Sequence, residues 1–538
     1  MARTHAIPAC SVLVLTHRFA LFVMSCCPRS SPSSSGNCSD APRTARAPRI
    51  EHACRAALHD ASNGVPNAWH DLLYDRLRDQ AVPAFIDDNA ITPAASVWTG
   101  SRLWVQAFRS ANLQAGDRIV IAMPPSAAFV QVLVAALWQR LTIVLAPPSA
   151  SPELVHQLDA RAFIHPDADT PHAWVPDGCA GPLAPPETLR SATTPCTPEV
   201  RFLLRTSGTT ANAHWYALSD TNVLSVLASH LPYFKLKHSR VLSVLPWSHA
   251  FGLVLDLLPA LLSGAEIIRD PEGGRSAASL LELRDAWGAT HLSAVPLTIR
   301  RLLNHDSGQS FLTQLAGGIV GGAPISAPLA DALSQTALRV GYGQTEASPG
   351  IALGDPGVWA PNYLGRPLGC TVRISDDGEL LFQGQNACIG QWTEDGLHRL
   401  DPERWAATGD CAERRNDGLY FQGRTDSAFK LTNGRMVHAG PIEARIKEAI
   451  DDVHDAFVWS PDGTRLAVAF CWGDAPHTQR PTNEAIRPHL GTLRRRLDTV
   501  LFLAPSDWPQ TPKGAVDRVA LRQRLADLVS SHSSSVTS

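Results

Sequence analysis

The stretch 116–146, GDRIVIAMPPSAAFVQVLVAALWQRLTIVLA, constrains this chain more than any other. A short apolar run ends at Pro124-Pro125, an apolar segment of helical length follows, and a second strand-like run closes it. That order reads as a βαβ unit, which implies a parallel sheet with helices laid over it. The alternation continues: a strand at Arg201–Leu204, a helix from Thr221, strands at Val241–Leu245 and Glu266–Ile268 around a helix from Phe251, then strands at His291–Val295 and Gly318–Val320. The expected fold class is therefore α/β, its large N-terminal domain containing two doubly wound α/β subdomains. From Leu364 to Gln422 the text changes to short strands with Gly-rich turns (ISDDGELLFQG, RRNDGLYFQG), which reads as a small antiparallel, β-barrel-like subdomain. A smaller α+β C-terminal domain follows. The expected bounds are a low-order extension over 1–65, the large domain over 66–422, the C-terminal domain over 423–528 and a polar tail over 529–538.

Composition excludes several classes. A 44% hydrophobic content with a formal net charge of -3 is incompatible with a wholly disordered chain. The same near-neutral balance argues against a dedicated nucleic-acid binder, which carries a basic excess. No run of roughly 18 or more apolar residues appears, so no membrane-spanning helix is expected. The 11 cysteines are odd in number, five fall within the first 54 residues, and no C-x-x-C pair occurs. They fit neither a disulfide framework nor a zinc site, and a reduced, cytoplasmic setting is expected. Residues 11–27 imitate a signal-peptide core, but Thr16, His17 and Arg18 interrupt it and no A-x-A-like site follows.

The most informative segment is Leu203–Ser219, LLRTSGTTANAHWYALS. A strand runs into Thr206-Ser207-Gly208-Thr209-Thr210, small residues whose backbone N–H groups and hydroxyls can converge on phosphates. Alone, such a loop is as readily a plain turn. A series of downstream segments, in a fixed order, gives it meaning: Leu245-Pro246-Trp247-Ser248-His249-Ala250-Phe251-Gly252, then Gly321-Gly322-Ala323-Pro324, Gly341-Tyr342-Gly343-Gln344-Thr345-Glu346, Thr408-Gly409-Asp410, Gly423-Arg424-Thr425-Asp426 and Lys430-Leu431-Thr432-Asn433-Gly434-Arg435. This series resembles the adenylate-forming superfamily of acyl-CoA synthetases, peptide-synthetase adenylation domains and luciferases, over about residues 70–525.

The resemblance implies roles. Thr206, Ser207, Gly208, Thr209 and Thr210 would hold the β- and γ-phosphates of ATP. Gly322, Ala323 and Pro324 would border adenine, with Tyr342 stacked on it and Gly343 and Gln344 completing the nucleotide loop. Thr345 would bond the α-phosphate, Glu346 would hold Mg²⁺, and Asp410, backed by Arg424, would bind the ribose hydroxyls. His249 would border the acid's carboxylate. The C-terminal domain would be mobile, pivoting at Asp426, and Lys430 and Gly434 would then face the site for thioester formation. The implied reaction joins a carboxylic acid to AMP with release of pyrophosphate. The acyl group then passes to a thiol, either coenzyme A or the phosphopantetheine arm of an acyl carrier protein. No nucleic-acid partner and no stable membrane insertion are expected.

Departures from the family pattern matter. Where the phosphate loop normally continues Gly-x-Pro-Lys, this chain has Ala211, Asn212, Ala213 and His214. Near the C-terminus, Pro509–Arg518 resembles P-x-T-x-x-G-K-x-x-R, but Ala515 stands at the family lysine, and Lys513 lies two positions earlier. Lys513 is the expected substitute; the alternative is a half-active or non-catalytic adenylate binder. No cation is obvious beside the presumed pocket segments His249–Leu258 and Gly317–Ala323, so an apolar fatty or aromatic, hydroxybenzoate-like monocarboxylic acid is expected. A serine hydrolase using Ser248 and His249 is excluded, because strand neighbours point to opposite faces and no G-x-S-x-G elbow exists.

Overall fold

The computed structural model describes residues 50–64, 68–78, 83–87, 90–166, 199–206, 214–450, 453–472, 480–509 and 516–534. The leading βαβ unit forms as read: strand Arg118–Ile121, helix Ala127–Trp138, strand Thr142–Leu145. Ser126 caps the helix, its hydroxyl accepting from the Phe129 N–H at 3.2 Å. Apolar side chains run round the whole helix because it is buried on nearly every side.

These strands belong to a seven-stranded sheet in which Ala162–Ile164, Arg118–Ile121, Thr142–Leu145 and Phe202–Arg205 run parallel. Trp215–Leu218 then pairs antiparallel with Phe202–Arg205. A second sheet aligns His291–Ser293, Arg240–Ser243, Glu266–Arg269 and Pro83–Asp87 in parallel. A third, eight-stranded sheet begins with the parallel pair Ile319–Gly321 and Arg339–Tyr342 and is antiparallel thereafter. Bridges His291–Gly317 and Ala294–Val320 join the second sheet to the third. The Leu364–Gln422 region supplies most of the antiparallel strands, but its hairpin Gly390–Arg399 extends the first sheet beside Trp215–Leu218.

The smaller unit has strands Val453–Trp459, Leu466–Trp472 and Leu497–Leu503 with helices Ala439–Ala449 and Arg518–Ser534. Three expected bounds move. Residues Ile50–Ser62 are helix rather than extension, because Ile50, Ala53, Cys54, Ala57, Leu58 and Ala61 recur at helical spacing and meet the main core. Strand Gly418–Arg424 crosses the expected 422/423 boundary, held by the pairing of Asp410 with Arg424. The last helix continues to Ser534 instead of ending at 528, with Leu521 and Leu525 buried and Leu528 half-buried on one face. No helix among the described residues is long and apolar enough to cross a membrane.

Helix Asp220–Phe234 lies on the main core and carries a fully buried His230. Burial lowers the imidazole from 6.5 to about 4, against a raising contribution from the Val226 carbonyl. A depressed folded-state value stabilises above the unfolded pKa and loses that stabilisation as pH falls. On the order of 3 kcal/mol should disappear between pH 6.5 and about 4. Asp256 works the other way, its carboxyl being raised by burial to about 6. The two windows overlap with opposite sign, so wild-type stability in urea should change little between pH 6.5 and about 4, whereas His230→Asn, which leaves Asp256 unopposed, should gain stability as pH falls; a variant with the wild-type pH dependence would refute the assignment.

Candidate active site

Four of the motif segments leave strands of these sheets at their carboxyl ends, where open α/β sheets present their ligand crevices. Leu245–Gly252 follows Arg240–Ser243, Gly322–Pro324 follows Ile319–Gly321, and Gly343–Glu346 follows Arg339–Tyr342. The phosphate-loop segment leaves Phe202–Arg205 in the same way, and its two ends lie side by side. Thr206 N–H donates to the His214 carbonyl at 3.3 Å, and Arg205 pairs with Trp215. Ser207, Gly208, Thr209 and Thr210 lie outside the described residues, as do Lys513 and Ala515. The far end of this strand pair is fixed by Arg201, whose guanidinium donates to Asp220 at 2.7 and 3.0 Å and to the Leu141 carbonyl at 2.7 Å.

Strand pairing makes the Asp410 cluster. Register sets Asp410 opposite Arg424, whose Nη1 donates to Asp410 Oδ1 at 2.9 Å. Tyr342 Oη donates to the other carboxylate oxygen at 2.8 Å. Burial first, then the Asp410 charge, raises the Tyr342 phenol well above 10, so it remains a donor. Gly409 adopts φ +70°, and a Cβ there would meet the Arg424 guanidinium at 2.9 Å. The glycine of Thr408-Gly409-Asp410 is therefore what lets the arginine lie against the backbone. Three expected site residues, Tyr342, Asp410 and Arg424, form one hydrogen-bonded set.

Gly322, Ala323 and Pro324 form an exposed edge at the end of their strand, with Gly322 at φ +86°. A Cβ on Gly321 would lie 2.5 Å from the Gly341 carbonyl, so glycine there lets the two motif strands close up. Gln344 precedes the single 3₁₀ turn Thr345–Ala347, which carries Thr345 and Glu346. Glu346 sits beside Tyr216, whose phenol is raised by burial first and then by the Glu346 charge and hydrogen bond. Gln391 donates to the same phenol oxygen at 3.1 Å. Tyr216 lies two residues beyond His214, so the carboxylate is held beside the strand that leaves the phosphate-loop segment. Sequence reasoning missed Tyr216; its only signal was its place in that strand.

His249 stands at the start of the helix after Pro246, with its ring open on one side and its pKa lowered below 6.5 by partial burial. Gly252 is required below it, since a Cβ would meet the Pro246 carbonyl at 2.3 Å. Further along the chain, Asp426 is exposed on the turn Thr425–Ser427, where the chain leaves the third sheet. Lys430 is exposed, and its ammonium lies 4.0 Å from the Asp377 carboxylate. Gly434 takes φ +82° at a turn, with nothing within 4 Å of a Cβ built there. No hydrogen bond or ion pair among the described residues joins Lys430 or Gly434 to the Tyr342–Asp410–Arg424 set. Among the described residues no group of three or more His, Cys, Asp or Glu side chains could hold a metal ion.

Cations do stand beside the presumed pocket segments His249–Leu258 and Gly317–Ala323. Asp256, in the first of them, is 3% exposed and faces the charge of Arg269. Arg339 and Lys235 line the neighbouring cavity. They escaped notice because each comes from an element remote in sequence from the segments inspected.

Residues 83–390 match the family described as AMP-binding enzyme. The acyl-CoA ligase SID4 of Ajellomyces capsulatus is 28% identical over 313 residues, covering 52% of this chain and 53% of that protein. Phenyloxazoline synthase MbtB of Mycobacterium tuberculosis is 25% identical over 536 residues, covering 90% of this chain and 37% of that protein. The chain spans about half the length of the first curated relatives it matches. Among solved structures, the anthranilate CoA ligase AuaEII in complex with anthranoyl-AMP aligns with a TM-score of 0.62 at 17% identity, covering 84% of this chain and 96% of that one. ATP-bound MatB from Rhodopseudomonas palustris aligns with a TM-score of 0.65 at 19% identity, covering 86% and 99%. At these identities the structural likeness is one of fold.

Proposed function

Because the chain belongs to the AMP-binding enzyme family, its match covering residues 83–390, we propose that it is an ATP-dependent carboxylic acid:thiol ligase. The acid's carboxylate attacks the α-phosphorus of ATP, the α–β phosphoanhydride bond breaks, and pyrophosphate leaves. A thiol then attacks the acyl carbon and AMP leaves with the carboxyl oxygen it gained. The thiol is coenzyme A or the phosphopantetheine of an acyl carrier protein, and the acid a fatty or hydroxybenzoate-like monocarboxylate. Both reactants of the first step are anionic, so catalysis rests on positioning and charge stabilisation.

The observation that carries this reading is the Tyr342–Asp410–Arg424 set. One Asp410 oxygen receives Tyr342 and the other receives Arg424, which fixes the carboxylate plane while leaving further lone pairs to accept two ribose hydroxyls. Gly322, Ala323 and Pro324 would border the base, Thr345 the α-phosphate, and Thr206 with Ser207, Gly208, Thr209 and Thr210 the outer phosphates. Mg²⁺ would be held by Glu346 together with phosphate oxygens, a mixed shell that needs no all-protein cage, and would neutralise charge on the phosphates. His249, its imidazole lowered below 6.5 by partial burial, would border the acid. A pivot at Asp426 would bring Lys430 and Gly434 to the thiol.

Asp410→Asn keeps the shape and removes the charge. A hydrogen bond to a charged group contributes about 1.5–3 kcal/mol, so ATP should bind on the order of 10–100-fold more weakly by calorimetry. Unchanged affinity would remove Asp410 from the ribose. The function itself is tested by acid-dependent ATP–pyrophosphate exchange on the full chain with a panel of fatty and hydroxyaryl acids. Exchange with one acid class supports the ligase. ATP binding without exchange for any acid would favour the half-active reading, for which Ala515 at the lysine position is the specific observation.

A further inference from the structure

Under the sheet that carries Tyr342 lies a cavity of about 260 Å³. Its walls are the entry ends of parallel strands, at Val241, His291, Ile319 and Arg339, with Tyr233 from the neighbouring helix and Asp256. The motif segments leave these same strands at their other ends. A strand rises about 3.3 Å per residue, so the cavity wall at Arg339 lies roughly 10 Å below Tyr342. Asp256 is seven residues beyond His249 on the helix that descends from the site, also roughly 10 Å away at about 1.5 Å per residue. A ring the size of benzene fits a cavity of about 150 Å³, so this one admits a ring with substituents.

Asp256 is the unusual group in its wall. It sits in the π-helical segment Leu253–Leu257, an insertion of the kind that recurs at functional sites. Its Oδ2 accepts from Ser243 Oγ at 2.6 Å, and Trp247 Nε1 donates to that same hydroxyl at 3.0 Å. Arg269, stacked over Trp247 at 5.8 Å, gives its hydrogen bonds to the Ser243 and Leu245 carbonyls at 2.9 and 3.1 Å. Asp256 Oδ1 is buried with no hydrogen-bond partner. An acceptor left so is costly, and a ligand donor would satisfy it. The neighbours decide the donor's charge. Arg269 lends its positive charge to the carboxylate, and Lys235 and Arg339 line the same cavity, so an ammonium would be repelled and a neutral hydroxyl fits.

We propose that Asp256 is the specificity residue of the acid pocket, accepting a hydrogen bond from a hydroxyl at the far end of the acid whose carboxylate lies by His249. This rests on the ligase reading and narrows its substrate to hydroxylated acids, with a ring or chain long enough to span the two residues.

The test uses matched acids that differ only in the distal hydroxyl: 4-hydroxycinnamate with cinnamate, 4-hydroxyphenylacetate with phenylacetate, and 10-hydroxydecanoate with decanoate. A site built to bond a hydroxyl strongly rejects the analogue without it, so ATP–pyrophosphate exchange should favour one hydroxylated member by at least about 100-fold in kcat/KM. Asp256→Leu should bring the two members of the pair within about threefold of each other, whatever its effect on the absolute rate, and Asp256→Asn, which keeps an acceptor oxygen, should fall between. The wild-type comparison needs no variant to fold. Exchange that is equal for both members of every pair would overturn the proposal and leave the ligase intact. Calorimetric binding of the same acids separates the two claims. Preferential binding of a hydroxylated acid, lost in Asp256→Leu, without exchange would uphold Asp256 and sink the ligase. Neither exchange nor preferential binding would overturn both.

Discussion

Glu443→Ala is expected to unfold the C-terminal unit while the large sheets stay folded. The Glu443 carboxylate is 6% exposed, accepts from Arg518 Nη1 and Nη2 at 2.8 Å each, and takes a third hydrogen bond from the Val458 N–H at 2.8 Å. It thereby ties helix Ala439–Ala449, strand Val453–Trp459 and helix Arg518–Ser534 together. Removing one partner strands Arg518, whose guanidinium lies over Phe457 at 4.7 Å and whose Nε is already buried without a partner. Breaking a buried pair in this way costs about 3–5 kcal/mol, a large share of what a unit of this size has in reserve. Replacing both partners by apolar residues, as in Glu443→Leu with Arg518→Met, should cost less than either single change, because no charge is left alone. Segment-resolved hydrogen exchange checks this: Glu443→Ala should lose protection across Val453–Trp472 and keep it in Arg118–Leu145. Global loss, or no loss, would show that the pair does not hold this unit.

The difference between what could and could not be read in the sequence lies in the range of the interactions. The βαβ unit at 116–146 was legible because its signals are local: apolar runs of strand and helix length on either side of a prolyl turn. The site motifs were legible through their order along the chain and its family resemblance; the close approaches to the backbone at Gly321 and Gly409 show why small residues stand in them. The resemblance already set Arg424 behind Asp410; the third member, the Tyr342 hydroxyl on the other carboxylate oxygen, depends on how the strands pack. Tyr216 with Glu346, and Glu443 with Arg518, join elements far apart in the chain, and no local pattern marks either partner. Helix Ile50–Ser62 carries its stripe mostly on alanine and cysteine, whose small apolar surface gives a faint period. The hairpin Gly390–Arg399 has the strand and turn signals of its neighbours; only packing assigns it to another sheet.

Lys513→Ala is expected to reduce acid-dependent ATP–pyrophosphate exchange by about 10²–10³, the usual loss when one group stabilising developing charge is removed. The reasoning begins with Ala515, which cannot supply a cation where the family pattern has lysine. In extended chain, residues i and i+2 project to one side, so a lysine at 513 can serve the side of 515, and its flexible four-carbon stem tolerates the offset. The segment's ends are fixed: Asp517 N–H donates to the Pro509 carbonyl at 3.0 Å, and Arg518 is locked by Glu443. Returning the lysine to the family position, Ala515→Lys in the Lys513→Ala background, should restore exchange, since both positions lie between the same two anchors. The thiol half-reaction, fed with preformed acyl-adenylate, should be indifferent to Lys513, because the carboxylate–phosphate bond is already made. Exchange unaffected by Lys513→Ala but raised by Ala515→Lys would mean that the chain adenylates without a lysine and that position 515 alone limits its rate.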